Sequence, residues 1–280
     1  MTASTENTNT NTTDIAGNGS YVQVNGLDLY YEVYGTGHPL VMLHGGFGVT
    51  GMFAQLIPTL SETRQVIAVE LQAHGHTADI DRPLRYDLMA DDVAALIKHL
   101  GHESADIFGY SLGGGVALQT AIRHPELVRK LVLAATVCAR DGWYPESLVG
   151  MAAISTELLS GSFIHDAYLG AAPRPEDWPV LIDKMRQMLA EDYNWAEDVA
   201  AIKSPALIIV GDADSVRLDH ATEMFRLFGG GKGDGGMSGR PASQFAVLPN
   251  AAHWDVLFRA DLLLPIIPPF LDAPMPEATA

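Results

Sequence analysis

Residues 105–113 read Ala105-Asp106-Ile107-Phe108-Gly109-Tyr110-Ser111-Leu112-Gly113 and run on through Gly114 and Gly115 into a helix-like stretch that stops at His124-Pro125. A Gly-x-Ser-x-Gly pentapeptide alone is weak, because a glycine-rich chain produces such matches by chance. Here it follows a short apolar strand and opens a helix, the setting in which a serine is presented on a sharp turn. The reason is steric. Only small residues at 109 and 113 let strand and helix backbones pass close enough, and the turn holds its central residue in a strained conformation. The Ser111 hydroxyl then projects outward, and the N-terminus of the helix faces any negative charge that develops beside it.

Working outward, short apolar runs alternate with helical patterns. Tyr21–Val24 and Leu27–Tyr34 form strands turned at Asn25-Gly26. Leu40–Leu43, Gln65–Glu70, Ala105–Tyr110, Lys130–Ala135, Ala206–Val210 and Gln244–Leu248 are further strands. Phe53, Leu56, Ile57 and Leu60 recur at helical spacing, as do Met89, Val93, Leu96 and Leu100, the latter ending at Gly101. The alternation predicts an α/β fold, a mostly parallel sheet covered by helices on both faces, with an antiparallel edge supplied by the first two strands.

Residues 141–200 break the rhythm. They hold no strand pattern, but Leu181, Met185 and Met188 mark one amphipathic helix, and Met151, Ile154, Leu158 and Leu159 another. This predicts an inserted helical cap between two core segments, 21–140 and 201–272, with a disordered leader over 1–20 and a flexible tail over 273–280.

Composition narrows the function. The 280 residues carry 34 acidic against 17 basic side chains, a formal charge of −17, which repels nucleic acid and anionic lipid. No stretch approaches the roughly 20 apolar residues of a membrane span, and the leader lacks a signal-peptide pattern, so the expected place of action is cytoplasmic. Self-association into a homo-oligomer is left open. The one cysteine, Cys138, reads as a half-buried structural thiol. The glycine-rich stretch 229–239 is no phosphate loop, since Lys232 is not followed by Ser or Thr. No His-Glu-x-x-His or comparable cluster exists, and neither a metal nor a cofactor is expected.

A serine needs a base. His253 follows the last strand through Pro249-Asn250-Ala251-Ala252, which returns it to the sheet edge where Ser111 stands. His74 and His76 read as surface turn residues, and the remaining histidines lack a strand-end position. A carboxylate must orient the imidazole. Asp212 and Asp214, in Gly211-Asp212-Ala213-Asp214, can both reach, and Asp214 lies further into the loop.

The ordered set His44-Gly45-Gly46, Gly109-x-Ser111-x-Gly113, Gly211-x-x-Asp214 and His253 resembles the α/β-hydrolase superfamily, in particular its serine esterase-like members with a helical cap, over residues 21–272. The resemblance implies Ser111 as nucleophile, His253 as base, Asp214 as the orienting acid with Asp212 capping its loop, and an oxyanion hole from the backbone N–H groups of Gly46 and Leu112. It differs from relatives at Glu70 and Ala73-His74-Gly75, positions that support loop geometry. A serine at 111 separates the chain from dehalogenase-like members with an aspartate nucleophile. Phe47 and Tyr110 are expected to shape the pocket. Trp143, Tyr144, Met151, Phe163, Met185, Met188, Tyr193 and Trp195 supply rigid aromatic and adaptable thioether surface from the cap. The expected partner is a small, largely apolar ester. A lactonase, amidase, carbon–carbon bond hydrolase or lyase would share the same residues, and a non-catalytic receptor would share the cavity.

Overall fold

The computed structural model describes residues 18–276; the rest of the expected leader and tail lies outside the described residues. Eight strands form one sheet: β1 (Asn18–Val24), β2 (Leu27–Tyr34), β3 (His38–Leu43), β4 (Arg64–Val69), β5 (Ala105–Tyr110), β6 (Val128–Ala134), β7 (Ala206–Ala213) and β8 (Gln244–Ala252). Their spatial order is β1-β2-β4-β3-β5-β6-β7-β8. β1, β2 and β4 pair antiparallel, and every pair from β4 through to β8 is parallel. Residues 18–20, read from sequence as leader, are the first rungs of β1 against Val33, Glu32 and Tyr31.

The central strands are largely apolar because both faces are covered, and alternate residues feed two cores. Val41, Leu43, Ile107, Leu131 and Leu133 pack with Met89, Val93 and Val116 of α2 (Tyr86–His99) and α3 (Leu112–Arg123). Leu40, Met42, Phe108, Val132 and Ala134 pack on the other face. There they meet Leu60 of α1 (Ile57–Leu60), Leu263 of α11 (Ala260–Leu263) and Phe270 of α12 (Ile267–Asp272). Each such buried side chain contributes about 1.5–3 kcal/mol before entropy is counted. The helix expected over Phe53–Leu60 is two pieces, a 3₁₀ turn at Thr50–Phe53 and the short α1, with Gly51 in the first and Pro58 at the start of the second.

The C-terminal helix is fixed by a buried cation. Lys130 Nζ, from β6, donates to the carbonyls of Phe270 at 2.8 Å and Leu271 at 3.1 Å, and also to that of Ala273. It thereby satisfies the unpaired C-terminal carbonyls of α12. Ala273, read from sequence as flexible tail, is held by this contact.

Between β6 and β7 lies a helical insertion: α4 (Pro145–Ala152), α5 (Thr156–Leu159), α6 (Phe163–Ala171), α7 (Trp178–Ala190) and α8 (Ala196–Ala201). The pattern Met151 to Leu159, expected as one helix, is split by Ser155, which caps α5 by accepting the Leu158 N–H. Lys184 of α7 ties the insertion to the sheet-edge loop through Asp79 Oδ2 at 2.5 Å and the carbonyls of Ile80 and Arg82, both at 2.8 Å. α9 (Leu218–Leu227) and α10 (Gly235–Ser238) lie between β7 and β8. No helix among the described residues is long and apolar enough to cross a membrane.

Candidate active site

The strand order reverses between β3 and β5, and in open parallel sheets the crevice outside the carboxyl ends at such a point collects ligands. The loops that leave those ends carry His44–Gly48 from β3 and Ser111 from β5. Ser111 has φ 52° and ψ −114°, a left-handed strained conformation between strand and helix. A Cβ on Gly109 would strike the Gly113 backbone, and one on Gly113 would strike the carbonyls of Leu43 and His44. The glycine requirement read from the pentapeptide is therefore backbone crowding. The turn is also bonded in place: Ser111 N–H donates to Ala134 O at 2.9 Å, Gly113 N–H to His44 O at 3.1 Å, and Thr136 Oγ1–H to Ser111 O at 2.9 Å.

His253 meets this serine across the sheet edge. Its Nε2 lies 3.0 Å from Ser111 Oγ, and its Nδ1 lies 2.8 Å from Asp214 Oδ1. The carboxylate accepts only, so Nδ1 carries the proton and Nε2 is free to accept from the serine. Asp214 is sequestered, with its side chain fully buried, and is held by two amides: Gly211 N–H to Oδ2 at 3.1 Å and Val216 N–H to Oδ1 at 3.2 Å. Asp212 turns away and accepts from the Asn250 and Ala251 N–H groups at 2.9 and 3.1 Å, fixing the loop that carries His253. The strand beneath that loop is longer than the sequence pattern suggested, because β8 runs on past a register shift to pair Ala252 with Ala213.

Aromatic rings hold the imidazole. Tyr110 stacks on it at 5.6 Å and donates its hydroxyl to the His253 carbonyl at 2.7 Å, while Trp143 meets it edge-on at 5.4 Å. Trp143 belongs to a short stitch between the root of the insertion and the loop after Asp214. Trp143 and Val216 form an antiparallel bridge, Tyr144 N–H donates to Ser215 O at 3.0 Å, and Arg217 N–H to Gly142 O at 2.8 Å.

Gly46 and Leu112 both border the cavity beside Ser111. Among the described residues neither of their backbone N–H groups donates a hydrogen bond, so both are available to an oxyanion. The preceding His44 is a scaffold: its Nε2 accepts the Leu71 N–H at 3.1 Å and its Nδ1–H donates to Gly45 O at 2.7 Å. Burial pushes its pKa down to about 3, with His74 adding to the effect.

The cavity over Ser111 holds about 290 Å³. Of the residues expected to line it, Phe47, Tyr110, Trp143, Met151 and Met185 do so; Tyr86, Ser147, Ile154, Leu189, Ser215 and Trp254 also line it and were not anticipated. Tyr144, Phe163, Met188, Tyr193 and Trp195 do not reach it. Met188, Tyr193 and Trp195 border a separate polar cleft with Arg85 and Asp87, behind Tyr86; Tyr86 packs against Tyr193 at 5.6 Å and Trp195 at 5.1 Å. Tyr144 is turned outward by the stitch, and Phe163 borders a second cavity.

Two other sequence readings change. His74 is fully buried, its pKa lowered by burial to about 4. Cys138 is fully buried too, its thiol pushed up to about 12 by desolvation, and its N–H donates to His220 Nε2 at 3.2 Å. Among the described residues no cluster of His, Cys, Asp or Glu could hold a metal ion.

The chain belongs to the family described as the alpha/beta hydrolase fold, which matches residues 38–201. It is 42% identical over 103 residues to 2-hydroxymuconate semialdehyde hydrolase of Pseudomonas sp. (strain CF600), covering 35% of this chain and 36% of that one. It is 41% identical over 127 residues to pimeloyl-(acyl-carrier protein) methyl ester esterase of Neisseria meningitidis serogroup B, covering 45% and 46%. These matches span between about a third and a half of the relatives' length. The crystal structure of E-2-(acetamidomethylene)succinate hydrolase aligns with 92% of this chain and 100% of that one, at a TM-score of 0.73 and 22% identity, a likeness of fold.

Proposed function

We propose that the protein is a nucleophilic-serine hydrolase of small, uncharged, largely apolar acyl compounds. Ser111 Oγ attacks the carbonyl carbon while His253 Nε2 takes its proton, and Asp214 holds the imidazole and offsets the charge it gains. The oxyanion sits between the N–H groups of Gly46 and Leu112. His253 then protonates the leaving group, and the acyl-serine is released by a water that the same imidazole deprotonates. The observation that carries this reading is the unbroken line Ser111 Oγ, His253, Asp214, with contacts of 3.0 and 2.8 Å beneath a cavity.

The substrate class follows from the lining. Apart from His253 it holds no cationic side chain, so a substrate carboxylate would be desolvated there without a partner. An ester is the first reading. Cleavage of a carbon–carbon bond next to a ketone is the second, favoured by the likeness to a hydrolase named for 2-hydroxymuconate semialdehyde. A carbon leaving group needs a carbonyl as its electron sink, and the neutral hydroxyls of Ser147 and Ser215 border the same cavity.

A panel of neutral esters, lactones and vinylogous β-diketones, each against a carboxylated analogue, separates these bonds. Ser111→Ala should reduce kcat/KM for the best of them by more than about 10⁴-fold and abolish labelling by a phosphonate. A folded Ser111→Ala protein that turns over near the wild-type rate removes the proposal.

A further inference from the structure

A second cavity, of about 300 Å³, lies beside the first. Three residues border both: Gly46, Phe47 and Trp254. The rest of its wall is Gly48, Val49, Gly51 and Met52 from the loop after β3, Ile164 and Ala167 with Phe163 from α6, and Phe258. No charged side chain is among them, and none of the reacting side chains borders it. Its rim accounts for apolar surface that is otherwise unexplained: Phe163 is 63% exposed, Trp254 49% and Phe258 42%. Single exposed apolar residues are ordinary, but three large aromatic ones at the rim of one cavity form a patch suited to an apolar ligand.

We propose that this chamber is the acyl-arm site, so that the natural substrate is an acyl compound with an apolar arm on each side of the scissile bond. The assignment of arms rests on the proposed roles of Ser111 and His253. The leaving group must lie within reach of the proton on His253 Nε2, and His253 borders only the first chamber. The carbonyl oxygen is held at Gly46, which borders both. The arm on the carbonyl carbon therefore passes Gly46 and Phe47 into the second chamber, where it is covered by α6. Phe47, with φ 60°, forms the partition. The two chambers are of similar volume, so the favoured substrate carries two arms of comparable bulk, and a short acyl group leaves the second chamber unfilled.

The test is an arm-specific loss. p-Nitrophenyl acetate and hexanoate vary the acyl arm on one leaving group, and methyl and hexyl acetate vary the alcohol arm on one acyl group. A methylene that finds apolar surface in the transition state is worth about fourfold in kcat/KM. In the wild type, hexanoate should therefore exceed acetate by tenfold or more. Ala167→Trp, which fills the chamber from α6, should lower that hexanoate-to-acetate ratio by tenfold or more without a matching fall in the hexyl-to-methyl ratio. Ile164→Ala, which enlarges the chamber, should move the optimal acyl length upward, and it keeps the test alive if the tryptophan variant does not fold. Equal losses on both arms, a loss confined to the alcohol arm, or unchanged ratios in both folded variants overturn the assignment. Absence of turnover on every ester together with absence of phosphonate labelling at Ser111 would instead remove the reading on which it rests.

Discussion

Replacing Asp214 by Asn keeps the size of the side chain and removes one acceptor, and the hydrogen bonds around it decide how the site responds. Three donors converge on the carboxylate: His253 Nδ1–H and Val216 N–H on Oδ1, and Gly211 N–H on Oδ2. An amide can serve them in two ways. If its oxygen stays toward His253 and Val216, the new NH₂ faces the Gly211 N–H, and two buried donors oppose each other at a cost of about 1–3 kcal/mol. If it flips, the Gly211 contact survives, but the NH₂ now faces His253 and Val216. His253 must then accept at Nδ1 and carry its proton on Nε2, where it faces Ser111 and cannot act as a base. Either orientation removes the charge that offsets the imidazolium. The flipped form fixes the wrong tautomer, and loss of kcat should be about 10⁴-fold. Steady-state hydrolysis of a p-nitrophenyl ester measures it, with thermal melting to show that the fold persists. A folded Asp214→Asn enzyme within tenfold of wild type would refute the account of how His253 is held.

Two further outcomes concern stability. His44 and His74 have pKa values lowered by burial to about 3 and about 4, so below the ordinary histidine value of about 6.5 the unfolded chain binds protons that the folded one refuses. Stability from this source is complete above about pH 6.5 and is lost as pH falls toward the folded values, by about 2 kcal/mol per histidine at pH 5. Melting temperature against pH should show it, and His74→Gln should flatten the slope; an equal slope in that variant would contradict the assignment. Lys130→Met should lower stability by about 2–4 kcal/mol, since the carbonyls of Phe270 and Ala273 at the end of α12 lose their donor while that of Leu271 keeps Arg129. Urea titration checks it, and a change below about 0.5 kcal/mol would show that water replaces the ammonium without loss.

Much of this architecture was legible because its causes are local. Leu40–Leu43, Ala105–Tyr110 and Ala206–Val210 are buried at every position, and their runs, apolar but for Asp106, suit a strand covered on both faces. Ser111 was legible because Gly109 and Gly113 are demanded by backbone crowding, which leaves a mark in the residue types themselves. Asp214 and Asp212 could not be separated by residue type. What distinguishes them is the direction each side chain takes from its loop, toward His253 or toward the Asn250 and Ala251 amides. The cavity lining was the least legible. Met188, Tyr193 and Trp195 have the right chemistry, yet they pack behind Tyr86, whose place in the wall nothing in its neighbourhood of sequence signals. Aromatic character marks a side chain as suited to a pocket, and the tertiary packing of Tyr193 and Trp195 on Tyr86 decides which pocket.

The stitch at residues 142–144 has a mechanical meaning for the helices above the site. Because Gly142, Trp143 and Tyr144 are hydrogen-bonded or bridged to the segment 215–217, immediately beyond Asp214, the root of the insertion cannot swing without pulling on the carboxylate that holds His253. Lys184 pins α7 to the loop at 79–82 on the far side. Between these two anchors α4 and α5 have no buried residue at all, and α6 buries only Ile164 and Tyr168. Few contacts oppose local displacement there, so these short helices are the part of the insertion freest to shift, within a frame that keeps the line Ser111, His253, Asp214 in register.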